Sequence, residues 1–388
     1  MKKRILFIDH HAELGGGEIA LLEIMKNLNR DRFSLLALLG NSGEFANQLT
    51  KAGVEVIVDK LPSYFRNLDR DPAKRNGLFL FMKSAFSLGS FIKKTKNAII
   101  EKDIDIVYIN SIKSSLYGVP AAKQTKRKIV WHLHDCLSRE FYSPWVMPII
   151  VRLSHAADRI ICVSETVKEY FTAAGGRAEK VAVIYNGVDI EKFNPAISTE
   201  AVKREFNIAD RKVVSVVGRL EPWKGQRVFI KAAKIICQKR DDVIFLIAGA
   251  PFFGFYDYER EIKDMVNQLG LKERVIFLGF RPDVEQIYVV SDIITHCSLR
   301  PEPFGRDIIE AFACAKAVIS TNLGAPKEII SEKEGILIEP DNPEILAAGI
   351  MALLDDTRRL KQLGEGSRNK AKCLFNITEI AKHIERLL

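Results

Sequence analysis

The sequence predicts an α/β protein made of two doubly wound parallel-sheet domains. Short apolar runs alternate with amphipathic helical patterns along all 388 residues. The runs are apolar throughout rather than every second residue, as strands buried on both faces of a parallel sheet are. The length suits two domains of ordinary size. Hydrophobic residues at 47% and charged residues at 28% are the balance of a globular chain.

In order, Arg4–Asp9 reads as a first central strand. Its basic then apolar start resembles a leader, but the apolar part stops at Asp9. Gly15-Gly16-Gly17 reads as a turn, and Ile19–Leu28 as an amphipathic helix. Strands follow at Phe33–Leu39 and Val54–Val58, with a helix at Gly43–Ala52 between them. Further strands are expected at Asp103–Ile109, at Ile129–Leu133 running into His134-Asp135, at Arg159–Val163 and at Val181–Ile184. Ser164 reads as a helix cap. A linker is expected through Lys192–Pro195. The second domain then shows strands at Lys212–Val217, Val243–Ala248, Val275–Leu278, Asp292–Thr295, Ala317–Ser320 and Gly335–Glu339. Helices are read at Tyr258–Leu269, Pro343–Leu354, Thr357–Lys372 and Phe375–Leu388.

The six cysteines form no Cys-x-x-Cys pair and read as free, mostly buried thiols, which suits a reducing cytoplasm. No apolar run is long enough to span a bilayer. Of the net charge of +9, residues 1–190 carry most, with 28 Lys and Arg against 20 Asp and Glu; the rest holds 30 against 29. The basic excess gathers in Lys60–Lys96, where aromatic and aliphatic residues interleave with the cations. That mixture suits an anionic membrane surface or an acceptor-binding wall, and equally two packed helices with solvated lysines. Phe141–Ile150 adds a second aromatic patch. No nucleic-acid motif accompanies the charge.

The chemistry gathers in His296–Cys314. Pro301 and Pro303 end a loop, Gly305 allows close backbone approach, and a helix begins behind it. Its first amides lack intrahelical partners and attract anions such as phosphate. Glu302 and Glu310 can accept hydrogen bonds from hydroxyl groups. One segment can therefore hold a diphosphate and a hydroxyl-rich ligand. In Gly218-Arg219-Leu220-Glu221-Pro222-Trp223-Lys224-Gly225, two cations five apart on a strand-to-helix loop could neutralise a leaving diphosphate. His134, at a strand end, can move a proton near neutral pH or be a satisfied structural histidine.

Glu302-Pro303-Phe304-Gly305 followed by Glu310-Ala311, with Ser298 ahead, resembles the signature of the retaining family-4 glycosyltransferases of GT-B fold. Arg219 and Lys224 stand at that family's spacing. The resemblance covers nearly the whole chain and is strongest over residues 186–340. It implies a GT-B architecture, two Rossmann-like domains facing across a cleft. The first would be residues 1–190, on the acceptor side; the second 191–373, for the nucleotide sugar; and a helix over 374–388 would pack back on the first. It implies sugar transfer with retention from a UDP- or GDP-linked donor to a glycan or lipid-linked acceptor, in polysaccharide or cell-surface glycan biosynthesis. Arg219, Lys224, Glu302 and His134 would be catalytic. Gly16, Gly17, Gly218, Arg219, Lys224, Phe280, Arg281, Glu302, Pro303, Phe304, Gly305, Arg306 and Glu310 would bind the donor, Glu310 at the ribose and Glu302 at the sugar. Ala325 and Lys327 depart from the commoner form of the family and leave the donor sugar open. No cofactor or metal is required; Asp69-Arg70-Asp71 and Asp103-Ile104-Asp105 read as structural. The expected place is the cytoplasm, with the inner membrane face as a peripheral site. The alternatives are a GT-B nucleotide-sugar epimerase and a non-catalytic GT-B partner subunit.

Overall fold

The structure, a computed structural model, describes residues 2–61, 77–139, 142, 146–208, 211–252 and 254–388, and over 77–87 the backbone only. The chain divides into two compact units, Met1–Gly187 with Ile377–Leu388, and Val188–Asn376.

The first unit holds a seven-stranded, all-parallel sheet: β1 Lys3–Asp9, β2 Phe33–Leu39, β3 Glu55–Val58, β4 Ile106–Ile109, β5 Lys128–Leu133, β6 Arg159–Cys162 and β7 Val181–Val183. Its order is β3-β2-β1-β4-β5-β6-β7. Ile5–Asp9 is completely covered because helices lie on both sheet faces. The order reverses between β1 and β4, and ligands of such sheets bind beyond the carboxyl ends at that point. The helix Ile377–Glu385 belongs to this unit. Ile377, Ile380 and Ile384 repeat every three or four residues and enter the core beneath Leu21, Met25 and Leu28.

The second unit repeats the plan with β8 Lys212–Val217, β9 Val243–Ala248, β10 Val275–Gly279, β11 Ile293–His296, β12 Ala317–Thr321 and β13 Gly335–Ile338. The order is β10-β9-β8-β11-β12-β13, all parallel, so the reversal falls between β8 and β11. One face buries Phe229, Phe245 and Leu346; the other buries Ile244, Leu246 and Ile287.

Some boundaries differ from the sequence reading. The first helix starts at Gly16, not Ile19. Glu18 folds its carboxylate back onto the Gly15 N–H at 3.1 Å, which starts the helix despite the glycines' poor propensity. β4 starts at Ile106 because Asp103 sits at φ 46° and Asp105 takes the Arg4 N–H at 2.8 Å. The segment read as a linker is fastened into the second unit. The Arg368 guanidinium donates to the carbonyls of Ile190 at 3.1 Å and Phe193 at 2.9 Å. A helix at Glu200–Phe206 and a 3-10 turn at Pro222–Lys224 were not anticipated.

The described part of the basic stretch lies on a helix at Gly77–Glu101. Phe91, Thr95 and Ile99 form its buried face, while Lys94 meets Asp59 at 2.7 Å. Most of the remaining basic aromatic segment, Asp69-Arg70-Asp71 and much of the Phe141–Ile150 patch lie outside the described residues. No described helix is long and apolar enough to cross a membrane.

Candidate functional site

In the second unit the site grows from the carboxyl ends of β8 and β11. The loop after β8 carries Gly218 and Arg219, then turns through Pro222–Lys224. Trp223 is held by its indole N–H on Glu221 at 2.5 Å, and its carbonyl accepts from Leu299 N at 2.7 Å. Lys224 lies over the Trp223 ring at 4.2 Å and reaches Glu302 Oε2 at 2.7 Å.

Glu302 is 7% exposed, and the backbone around it is pinned by a neighbouring loop. Its N–H donates to Leu323 O, and its carbonyl accepts from Ala325 N at 2.9 Å. Gly324, at φ 76°, makes the crossing possible: a Cβ there would stand 2.4 Å from the Glu302 carbonyl oxygen. Ser298 Oγ donates to Glu302 Oε2 at 2.9 Å, and His296 Nε2 stands 3.4 Å from the same oxygen. His296 Nδ1 meets Asp307 Oδ2 at 2.7 Å. The result is a row of alternating charge, Asp307, His296, Glu302, Lys224. Burial alone would raise the Glu302 carboxyl, but Lys224 and His296 hold it well below the carboxylate range.

Gly305, at φ 90°, precedes the helix Arg306–Ala313. Glu310 on that helix accepts from Arg306 at 3.0 Å and from the Tyr288 hydroxyl at 2.9 Å. Its burial outweighs both partners and raises its carboxyl. Phe304 is buried, its ring edge-on to Phe375 at 6.2 Å, while Pro303 stays half-buried.

Arg219 pairs with Glu221 at 3.1 Å. Beyond β10, Phe280 is 62% exposed. Arg281 is gripped by Glu205 at 2.7 Å and by Asp283 at 2.8 Å, so its charge is already answered by two carboxylates. The structure thus joins Lys224 to Glu302 and Arg306 to Glu310.

In the first unit, Gly16 and Gly17 form the first turn of a helix rather than a loop, and a Cβ on Gly17 would touch the His134 ring at 3.5 Å. His134 Nε2 meets Asn110 Oδ1 at 3.0 Å, and Asn110 Nδ2 donates to Asp9 Oδ2 at 2.6 Å. The carboxylate orients the amide, so Nε2 of His134 carries a proton. Burial would raise Asp9, but His10, Asn110 and the His11 N–H bring it below its ordinary value. His132 is buried against Tyr108 at 2.8 Å. Burial first, then the nearby His134, keeps its ring neutral at ordinary pH.

Sequence reasoning missed His296 and Asp307, and Asn110 and Asp9 behind His134. His296 ends a strand beside a ligand-type loop, the very signal that singled out His134. Asp307 gives no local signal; only the fold brings it to His296. Asp103-Ile104-Asp105 lies at the amino end of β4, away from the ligand edge. Among the described residues no cluster of three His, Cys, Asp or Glu is placed to hold a metal.

Comparison with known proteins gives the family. The model for Glycosyltransferase Family 4 matches residues 43–192, and the model for Glycosyl transferases group 1 matches residues 198–370. Spore coat protein SA of Bacillus subtilis is 29% identical over 239 residues, 58% of this chain and 63% of its own length. An Escherichia coli UDP-Gal:alpha-D-GlcNAc-diphosphoundecaprenol alpha-1,3-galactosyltransferase is 27% identical over 97% of both chains. The crystal structure of Anabaena Alr3699/HepE in complex with UDP and glucose superposes with a TM-score of 0.85 at 30% identity, over 99% of this chain and 98% of that one. With two Rossmann-like units and both models matched in order, the chain belongs to the GT-B glycosyltransferases of the group 1 type.

Proposed function

We propose that this protein moves a hexosyl group from a UDP-linked sugar to a hydroxyl of a glycan or lipid-linked acceptor, with the anomeric configuration retained, in the building of a polysaccharide or cell-surface glycan. The observation that carries the reading is the pair formed by half-buried Lys224 and buried Glu302 at the reversal point of the second sheet. An acid that accepts sugar hydroxyls stands there beside a cation that can turn to phosphate. The uridine part leans on the relatives: Alr3699/HepE was crystallised with UDP and glucose, and the Escherichia coli relative is named for UDP-Gal.

In this reaction the bond from the anomeric carbon to the diphosphate oxygen breaks. The acceptor oxygen bonds to that carbon from the same face, and the acceptor's proton passes to the departing diphosphate. Lys224 and Arg219 neutralise the charge that develops on it. Glu302 accepts from the sugar hydroxyls and Glu310 from the ribose. The Gly305–Arg306 helix start offers its first amides to the phosphates. On the acceptor side, His134, tied through Asn110 to Asp9, is the residue assigned to the transferred sugar. The retaining assignment rests on the Glu302 and Glu310 signature. An anionic membrane is the proposed setting for a lipid-linked acceptor, and flotation with anionic liposomes at low salt should carry the protein upward; protein left at the bottom removes that setting.

Calorimetry with UDP-glucose, UDP-galactose and GDP-mannose tests the donor. A uridine sugar should bind, and Lys224→Ala and Glu302→Gln should each cut turnover of that donor on the order of 100-fold or more without changing the fold. Binding of GDP-mannose alone would overturn the uridine assignment. Wild-type turnover in both variants would overturn the site.

A further inference from the structure

Glu302 is used unevenly. Its Oε2 faces three donors, Lys224 at 2.7 Å, Ser298 at 2.9 Å and His296 at 3.4 Å. Among the described residues its Oε1 takes no hydrogen bond. The carboxylate is locked on one side and open on the other.

His296 supplies part of that lock. It is 3% exposed, and each ring nitrogen faces a carboxylate, Asp307 at 2.7 Å and Glu302 at 3.4 Å. Ser298 Oγ, 3.0 Å from Nε2, gives its own hydrogen to Glu302, so Nε2 is the donor there and both ring nitrogens carry protons. Burial pulls the imidazolium down, yet Asp307 and Glu302 together bring it up to about 9. The groups around it are Asp307 from the helix Arg306–Ala313, Glu302 and Ser298 from the loop, and Lys224 across Glu302. The adjacent Cys297 thiol is pushed up by burial to about 12 and stays neutral.

A buried carboxylate stripped of its only cation is costly. If Lys224 were the sole counter-charge, turning its ammonium toward a diphosphate would leave Glu302 uncompensated. We propose that His296, anchored by Asp307, is a positioning residue that keeps Glu302 charged and fixed, so that Oε1 meets the donor sugar's hydroxyls while Lys224 is released to the diphosphate. This rests on the donor reading above.

The test uses the full chain. Carbon-13 NMR of labelled histidine, assigned with His296→Gln, should find the ring cationic at pH 7.5 and titrating near 9, and Asp307→Asn should move that titration toward neutrality. A ring already neutral at pH 7.5 overturns the proposal. Calorimetry with UDP and UDP-glucose then reads the consequence. Between pH 6.5 and 8.5, UDP-glucose affinity should fall about tenfold in Asp307→Asn. It should stay level in the wild type and in His296→Gln, which cannot titrate. A level profile in Asp307→Asn overturns the role, since a merely structural contact would not create a pH dependence. If the ring is cationic but neither nucleotide binds, the donor reading fails and takes the positioning role with it.

Discussion

At the scale of single residues, Glu302 is governed by contacts far along the chain. Gly324 touches its backbone, and any side chain at 324 meets the Glu302 carbonyl and amide at 2.4 and 2.6 Å while φ stays at 76°. Gly324→Ala should therefore cost about 1–3 kcal/mol in strain, lowering the thermal midpoint and weakening UDP-glucose binding together. A variant with normal affinity would show that the crossing does not set Glu302. The charge row also predicts how stability follows pH. His296 is raised in the fold, so its contribution is whole below its unfolded value of about 6.5 and is lost as the pH climbs through about 9. Glu302 is lowered, so its contribution is present above the carboxylate range and lost as the pH falls. Urea unfolding at a series of pH values should show the alkaline loss in the wild type and a weaker one in His296→Gln.

At the scale of elements, some helices are fixed by a cap and others by a buried face. Ser164 accepts the Val167 N–H at 3.0 Å and starts the helix Glu165–Ala173, as its sequence implied. Ser164→Ala should cost about 1 kcal/mol of stability and leave UDP binding unchanged; a change in affinity would tie this helix to the donor site. The helix Ile377–Glu385 is held by burial. Ile380 is 5% exposed in the core of the first unit. Ile380→Ala should destabilise that unit by about 2–5 kcal/mol, visible as an earlier melting step with donor binding retained.

At the scale of the whole molecule, the two units differ in how the chain builds them. The second is one continuous stretch, Val188–Asn376, whereas the first needs Ile377–Leu388 from the far end. Every described contact of Lys224, Glu302 and His296 lies within the continuous stretch. Residues 188–376 expressed alone should fold and bind UDP, measured by calorimetry. Absence of binding by a folded fragment would show that donor recognition needs the first unit. Removing 377–388 should instead uncover Leu21, Met25 and Leu28 and make the first unit insoluble or early melting.

The sequence by itself determined the two parallel sheets, because unbroken runs such as Val243–Ala248 can be satisfied only by cover on both faces. It also determined the loop from Ser298 to Glu310, because two prolines, a glycine and two carboxylates at fixed spacing are local marks. Tertiary structure alone decided that His296 meets Asp307, that Asn110 and Asp9 stand behind His134, and that Arg281 is already matched by Glu205. Those partners come from different turns and strands, and no local spacing encodes which carboxylate will meet which cation. Strand order brings the chain ends of β8 and β11 side by side, and that neighbourhood, rather than any run of residues, gives Glu302 one bound oxygen and one open one.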